Sequence, residues 1–178
     1  MAHTEKTLKE ETIFTGRIFT VKRKEVELEN GHIRQRDVVL HNGGAAVLPV
    51  DDEGNIYLIR QFRSPFEQEV LEIPAGKLEK GEDPFEAAKR ELSEETGYTA
   101  KHYFDLGQVW PTVGFCSEIL YIWMATGLTK GKTHFDDDEF VTLVKMPLEE
   151  AWQLCMDGTI KDSKTLVAIM KAKEILGR

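Results

Sequence analysis

Three glutamates, Glu91, Glu94 and Glu95, stand at positions i, i+3 and i+4 of one segment. That spacing makes them neighbours on a helix surface. The helix is legible from its ends. Asp83 suits the N-cap, Pro84 suits the first helical position and Glu86 lies three residues after the cap. Gly97 stands where a C′ residue would close the helix. Phe85, Ala88 and Leu92 form the apolar stripe, and Glu91 and Glu95 flank it, at the rim of a cleft rather than in full solvent. Like charges at this spacing destabilise an isolated helix. A hard divalent cation would relieve the repulsion, because Mg²⁺ takes oxygen ligands and binds phosphate groups at the same time. The competing reading is a solvated acidic face paired with lysines, which is the preferred one for a generic glutamate-rich helix.

Other elements must hold this helix in place. Residues 18–28 and 32–41 read as strands joined at Asn30-Gly31, a hairpin signal. The pair is polar and thin, and a lone hairpin builds no core. It is expected to pack on its own domain or on a partner subunit. Asn42-Gly43-Gly44 marks a boundary between an N-terminal β region (1–42) and the main domain (43–178). Ala45–Val50 and Ile56–Phe62 form a second, more apolar hairpin, and Leu71–Pro74 is a short extended piece. Strands are expected near 101–110, 118–125 and 140–146, and helices over Leu148–Met156 and Ser163–Leu176. Strands and helices in this order, without simple alternation, predict an α+β sandwich.

The chain of 178 residues suits one medium domain with a small appendage. Its net charge of −8 argues against nucleic acid as the main partner, since phosphate-backbone binding needs a basic surface. A small anionic substrate remains compatible, because metal ions reverse the local charge logic. Cys116 and Cys155 have no zinc spacing and read as reduced thiols. The opening residues lack the apolar stretch of a signal peptide, and no run approaches membrane-spanning length, so a soluble, cytoplasmic protein is expected.

Residues 76–98, GKLEKGEDPFEAAKRELSEETGY, resemble the Nudix box of the Nudix hydrolase family. Gly76, Glu82, Arg90, Glu91, Leu92, Glu94, Glu95, Gly97 and Tyr98 fill its positions. Seven of these are single-residue requirements, and at roughly 5–7% usage each a chance match is on the order of one in a billion per start site. The resemblance implies a Nudix-type α/β/α sandwich with a mixed sheet, beside a small N-terminal antiparallel β region. It also implies Mg²⁺ as cofactor, with Mn²⁺ as the alternative. The ligands would be the Ala75 carbonyl, Glu91 and Glu95, with Glu94 as a further one. Arg90 would pair with a box glutamate and orient it, and Glu72 would contribute to the metal or substrate site.

The stretch Leu71–Lys80 and the Gln61-Phe62-Arg63 element resemble the ADP-ribose pyrophosphatase branch of that family. There Arg63 would reach substrate phosphate or ribose, a task its guanidinium fork suits. The alternative is a strand-end arginine in solvent. Pro111, Gly114, Phe115 and Glu118 occupy the place of the branch's substrate loop, although Thr112-Val113-Gly114 lacks its second proline. Phe115 falls either against the base or in the core. Glu139, in the run Asp136–Glu139, aligns with a late-acting acid of a loop, with Asp136 and Asp138 as fallbacks, while His134 is taken as a surface residue. The catalytic candidates are therefore Arg90, Glu94, Glu95 and Glu139. Related enzymes are homodimers that exchange an N-terminal β element, which makes Phe19 and Arg36 candidates for contacts across a dimer. The activity implied is hydrolysis of ADP-ribose to AMP and ribose 5-phosphate. Alternatives are hydrolysis of another nucleotide sugar or dinucleotide, such as GDP-mannose, and a non-catalytic ADP-ribose sensor, against which the intact box weighs.

Overall fold

The computed structural model describes residues 3–131 and 140–177. Contacts divide the chain into two compact units. One is Met1–Gly43 with Trp110–Ile119, and the other is Gly44–Val109 with Leu120–Arg178.

The first unit carries a three-stranded antiparallel sheet of β1 (Lys6–Thr15), β2 (Phe19–Glu27) and β3 (Ile33–His41), in that spatial order. Gly31, at φ 78°, takes the left-handed position in the β2–β3 turn, where its N–H donates to the Leu28 carbonyl at 2.8 Å. Strand β1 is an addition to the elements expected from the sequence. All ten of its residues are exposed, so it shows no burial alternation to read. Its ladder to β2 defines it, with irregularities between Thr7 and Lys9 and between Thr12 and Phe14. Val26 is the one buried residue on these three strands.

In the second unit the chain runs through β4 (Gly44–Pro49), β5 (Asn55–Arg63), β6 (Gln68–Glu72), β7 (Ala75–Lys77) and α1 (Pro84–Thr96). It continues through β8 (Tyr98–Val109), β9 (Leu120–Lys130), β10 (Val141–Pro147), α2 (Leu148–Met156) and α3 (Ser163–Leu176). One sheet has the order β7-β4-β9-β8 and is mixed, because β4 and β9 run parallel while the other pairs are antiparallel. A second, antiparallel sheet has the order β10-β5-β6.

Every residue of β4 is buried, and its side chains alternate between two cores, as the two-residue period of a strand requires. Ala45 and Val47 pack with Ala87, Ala88 and Leu92 of α1. Ala46 and Leu48 pack with Ala168, Ile169 and Ala172 of α3. Helices thus cover both faces of the strand, giving the expected α/β/α layering. Phe85 departs from the expected stripe of α1. It is only half-buried, set edge-on to Tyr103 with ring centroids 5.2 Å apart, and Ala87 takes its place in the core.

Candidate functional site

Helix α1 starts and stops where its sequence says it should. The Asp83 carboxylate accepts from Phe85 N at 2.9 Å and Glu86 N at 3.1 Å, filling two of the donors that a helix start leaves open. Gly97 closes the helix in the left-handed conformation at φ 71°. Between these ends, burial of Ala88 and Leu92 against the sheet sets the helix rotation and turns Glu91 and Glu95 inward. They are 8% and 2% exposed, deeper than the cleft rim that the sequence pattern suggests.

The two carboxylates meet the start of β7. Glu95 Oε2 accepts from the Ala75 N–H at 2.8 Å. Glu91 lies over Gly76 so closely that a Cβ there would stand 1.8 Å from its Oε1. Only glycine leaves room for the carboxylate, and this is the physical reason for the glycine fifteen residues upstream of Glu91. Arg90 binds the remaining acids. Its Nη1 donates to Glu91 at 2.6 Å and to Glu94 at 2.9 Å, and its Nε donates to Glu82 at 3.1 Å. Burial weakens the Arg90 charge, but the Glu82, Glu91 and Glu94 carboxylates more than offset this and hold the guanidinium protonated. The same Arg90 contact holds the Glu82 carboxyl below its ordinary range.

A second charged cluster joins the last residue of β5, Arg63, to the last residue of β6, Glu72, along the ladder that pairs Arg63 with Gln68 and Glu72 with Ile59. Arg63 forks onto Glu72, with Nε to Oε1 at 2.6 Å and Nη2 to Oε2 at 2.8 Å. Lys164 of α3 donates to the same Glu72 Oε2 at 2.5 Å and lies 3.0 Å from Asp162. Burial opposes the charge on Glu72, which is 2% exposed, yet Arg63 and Lys164 outweigh it and lower the carboxyl below its ordinary range. The Glu72 hydrogen bonds in turn raise the Arg63 guanidinium against its own burial, with smaller attractions from Asp162 and Glu95. Arg63 is therefore neither free in solvent nor a bare phosphate fork. It is held on a buried carboxylate and lines a cleft of about 350 Å³ with Phe66, Glu72, Lys161 and Asp162.

Residues 40–167 match the sequence profile of the NUDIX domain. The chain belongs to the Nudix family. Residues 5–44 match the nucleoside diphosphate sugar hydrolase N-terminal domain. An ADP-ribose pyrophosphatase of Bacillus subtilis (strain 168) is 44% identical over 97% of this chain and 95% of its own. A methanol dehydrogenase activator of Bacillus methanolicus is also 44% identical, over 93% of this chain and 90% of its own. A crystal structure of an ADP compounds hydrolase superposes with a TM-score of 0.87 at 26% identity, covering 99% of this chain and 96% of that one. The chain is a Nudix pyrophosphohydrolase, similar to the ADP-ribose pyrophosphatases.

This Nudix family generally uses a divalent metal. Among the described residues no three His, Cys, Asp or Glu side chains form a metal cage. That is compatible with Mg²⁺, which keeps waters and binds one or two carboxylates together with substrate phosphates. The donors present are hard oxygens, and the space over Gly76 is kept for a carboxylate. The Glu91 and Glu95 side chains are therefore the oxygen donors that would hold such an ion.

The other candidates are placed as follows. Pro111, Gly114 and Phe115 are exposed, and Glu118 is half-buried with an oxygen 3.5 Å from His41 Nδ1. Their segment is tied to β3 by Val39 N to the Phe115 carbonyl at 2.7 Å and Ser117 N to the Val39 carbonyl at 2.9 Å. The Phe115 side chain is 56% exposed, so it is not a core residue of the described chain. Arg36 pairs with Glu5 at 2.6 Å, and Phe19 packs on Phe14 with ring centroids 5.9 Å apart. Asp136, Asp138, Glu139 and His134 lie outside the described residues. Sequence reasoning missed Lys164 and Asp162. The available signal was a lysine inside the buried stripe of α3, beside Thr165, Ala168, Ile169 and Ala172, two residues after the Asp162 cap.

Proposed function

We propose that the chain hydrolyses the pyrophosphate bond of ADP-ribose, adding water to give AMP and ribose 5-phosphate. The observation that carries the chemistry is the convergence of Glu91 and Glu95 on Ala75 and Gly76. The substrate rests on similarity to the Bacillus subtilis enzyme over nearly the full chain.

Glu91, Glu95 and the Ala75 carbonyl, with Glu94 as a further ligand, would hold Mg²⁺ or Mn²⁺. When bound, the ion neutralises charge on the diphosphate and acidifies water. Arg90 fixes the carboxylates in relative position, so that little reorganisation is needed when substrate binds. Arg63 offers its remaining N–H groups to a substrate oxygen while Glu72 keeps the guanidinium plane in place. A carboxylate takes the proton of the attacking water. Glu94, half-buried on α1, and Glu139 are the two assigned to that role, and replacing each by glutamine separates them. Pro111, Gly114, Phe115 and Glu118 belong to the substrate-binding loop in this reading. Dimerisation through the first unit is also part of it. Leu8, Ile13, Phe14, Ile18, Phe19 and Ile33 expose apolar surface there, which supports a covered sheet. Sedimentation at twice the chain mass is the expected result.

The test is AMP release from ADP-ribose at millimolar Mg²⁺, beside GDP-mannose and dinucleotides. Preference for ADP-ribose with complete loss in EDTA is expected. Preference for another compound moves the substrate assignment, and binding of ADP-ribose without turnover of any compound returns the sensor reading. The equal identity to the Bacillus methanolicus activator favours a second reading, in which the chain activates a methanol dehydrogenase. Adding the chain to such a dehydrogenase, with and without ADP-ribose as competitor, tests it.

A further inference from the structure

Lys164 is a buried cation that neither the box nor the substrate loop explains. It stands in the first turn of α3, is 6% exposed and is ninety-two residues from Glu72, yet its ammonium lies 2.5 Å from Glu72 Oε2. Burying a charged lysine is costly unless it is paired and hydrogen-bonded. Here it has two carboxylate partners, Glu72 and Asp162. The Glu72 oxygen that it binds is the one that also accepts from Arg63 Nη2. The four charges alternate as Arg63, Glu72, Lys164 and Asp162, and they cancel as a set. Among the described residues the Arg63 guanidinium bonds only through Nε and Nη2.

The consequence is electrostatic. A lone buried carboxylate facing Arg63 would neutralise it and compete with any anion approaching the cleft. Lys164 shares that carboxylate, so the guanidinium keeps positive potential on the side that Glu72 does not use. We propose that Lys164 is a positioning and charge-balancing residue for substrate recognition: it holds Glu72 in register and keeps Arg63 available to the diphosphate of the substrate. The inference rests on the functional reading above, in which Arg63 meets that diphosphate. Removing the ammonium leaves the cluster one charge more negative, beside the guanidinium that is to meet the anion. Its effect is expected in binding, because the hydrogen bonds of Glu95 with Ala75 and of Glu91 with Arg90 do not involve Lys164.

The test compares the parent chain with Lys164→Met and with Lys164→Arg, which keeps a cation beside Glu72. Steady-state hydrolysis of ADP-ribose and thermal unfolding are measured on each. In Lys164→Met, KM is expected to rise about tenfold, with kcat within about twofold of the parent. Lys164→Arg keeps the charge and is expected to recover most of the lost affinity. A merely structural lysine would lower the unfolding temperature without this split, and restoring the charge would not rescue KM. An unchanged KM in Lys164→Met, or a KM in Lys164→Arg no better than in Lys164→Met, overturns the proposal. If the parent chain does not turn over ADP-ribose, the functional reading fails on its own. The three chains are then compared by calorimetric Kd for ADP-ribose, with the same tenfold loss and rescue expected. If the parent chain does not bind ADP-ribose, Lys164 has no diphosphate to recognise and the proposal falls with it.

Discussion

Replacing Gly76 by alanine tests the site at its tightest point. Gly76 is not among the positive-φ glycines, so the backbone accepts alanine and the only obstacle is space. The new Cβ would stand 1.8 Å from Glu91 Oε1, 2.2 Å from Cδ and 2.6 Å from Oε2. An ordinary contact begins near 3.4 Å, so the nearest oxygen must retreat by 3.4 minus 1.8, or 1.6 Å. The obstacle is the end of a flexible side chain, so the fold can yield while the site cannot. Moving Glu91 strains its 2.6 Å bond to Arg90, whose side chain is 36% exposed. A charge-assisted bond of this kind is worth about 1.5–3 kcal/mol when shielded. Solvent screening reduces that to about 1 kcal/mol, or about 2–4 °C of unfolding temperature for a chain of this size. Catalytic geometry is far less forgiving, and a misplacement of about 1 Å can cost about a hundredfold. Gly76→Ala should therefore lose at least about a hundredfold in kcat for AMP release while unfolding only a few degrees lower. Turnover within threefold of the parent would refute the assignment of Glu91 to the reacting centre. A collapse in unfolding temperature would refute the claim that the carboxylate, rather than the backbone, gives way.

Glu95→Gln keeps an oxygen to accept from the Ala75 N–H, so the fold should persist while turnover falls by orders of magnitude; near-normal turnover would sink the metal assignment. Arg90→Met leaves Glu82, Glu91 and Glu94 without their shared cation. It should lower kcat at least tenfold and stability by about 1 kcal/mol after screening, and an unchanged kcat would show that Arg90 orients nothing. Glu72 titrates below its ordinary value of 4.5 in the folded chain. Its stabilising effect is therefore complete above the unfolded value and is lost as pH falls through the folded one. Urea midpoints should drop as pH goes below about 4.5, and Glu72→Gln should flatten that slope. Parallel slopes in the two proteins would show that Glu72 is not the linked group.

Much of this protein follows from local rules. Helix α1 has an Asp83 cap, a proline at its first position and a closing Gly97, and each acts within a few residues of itself. The hairpin at Asn30-Gly31 and the fully apolar β4 are local in the same sense, since a turn needs a left-handed residue and a buried strand needs apolar side chains. The box glutamates could be named from spacing because a helix puts i, i+3 and i+4 side by side wherever it sits. Strand β1 was invisible because it buries nothing and exists only through its ladder to β2.

Tertiary structure alone decided what those residues touch. That Glu91 fills the space over Gly76 and Glu95 accepts from Ala75 depends on β7 pairing with β4 beneath α1. That Arg63 is held by Glu72 depends on a long side chain reaching back along β5, because the register pairs Arg63 with Gln68 and Glu72 with Ile59. Lys164 reaches Glu72 because α3 packs across the far side of the sheet, at a separation of ninety-two residues that no local pattern spans. Spacing along a chain specifies neighbours within one element, whereas a charge network between elements is specified only once their packing has excluded water and fixed the distances.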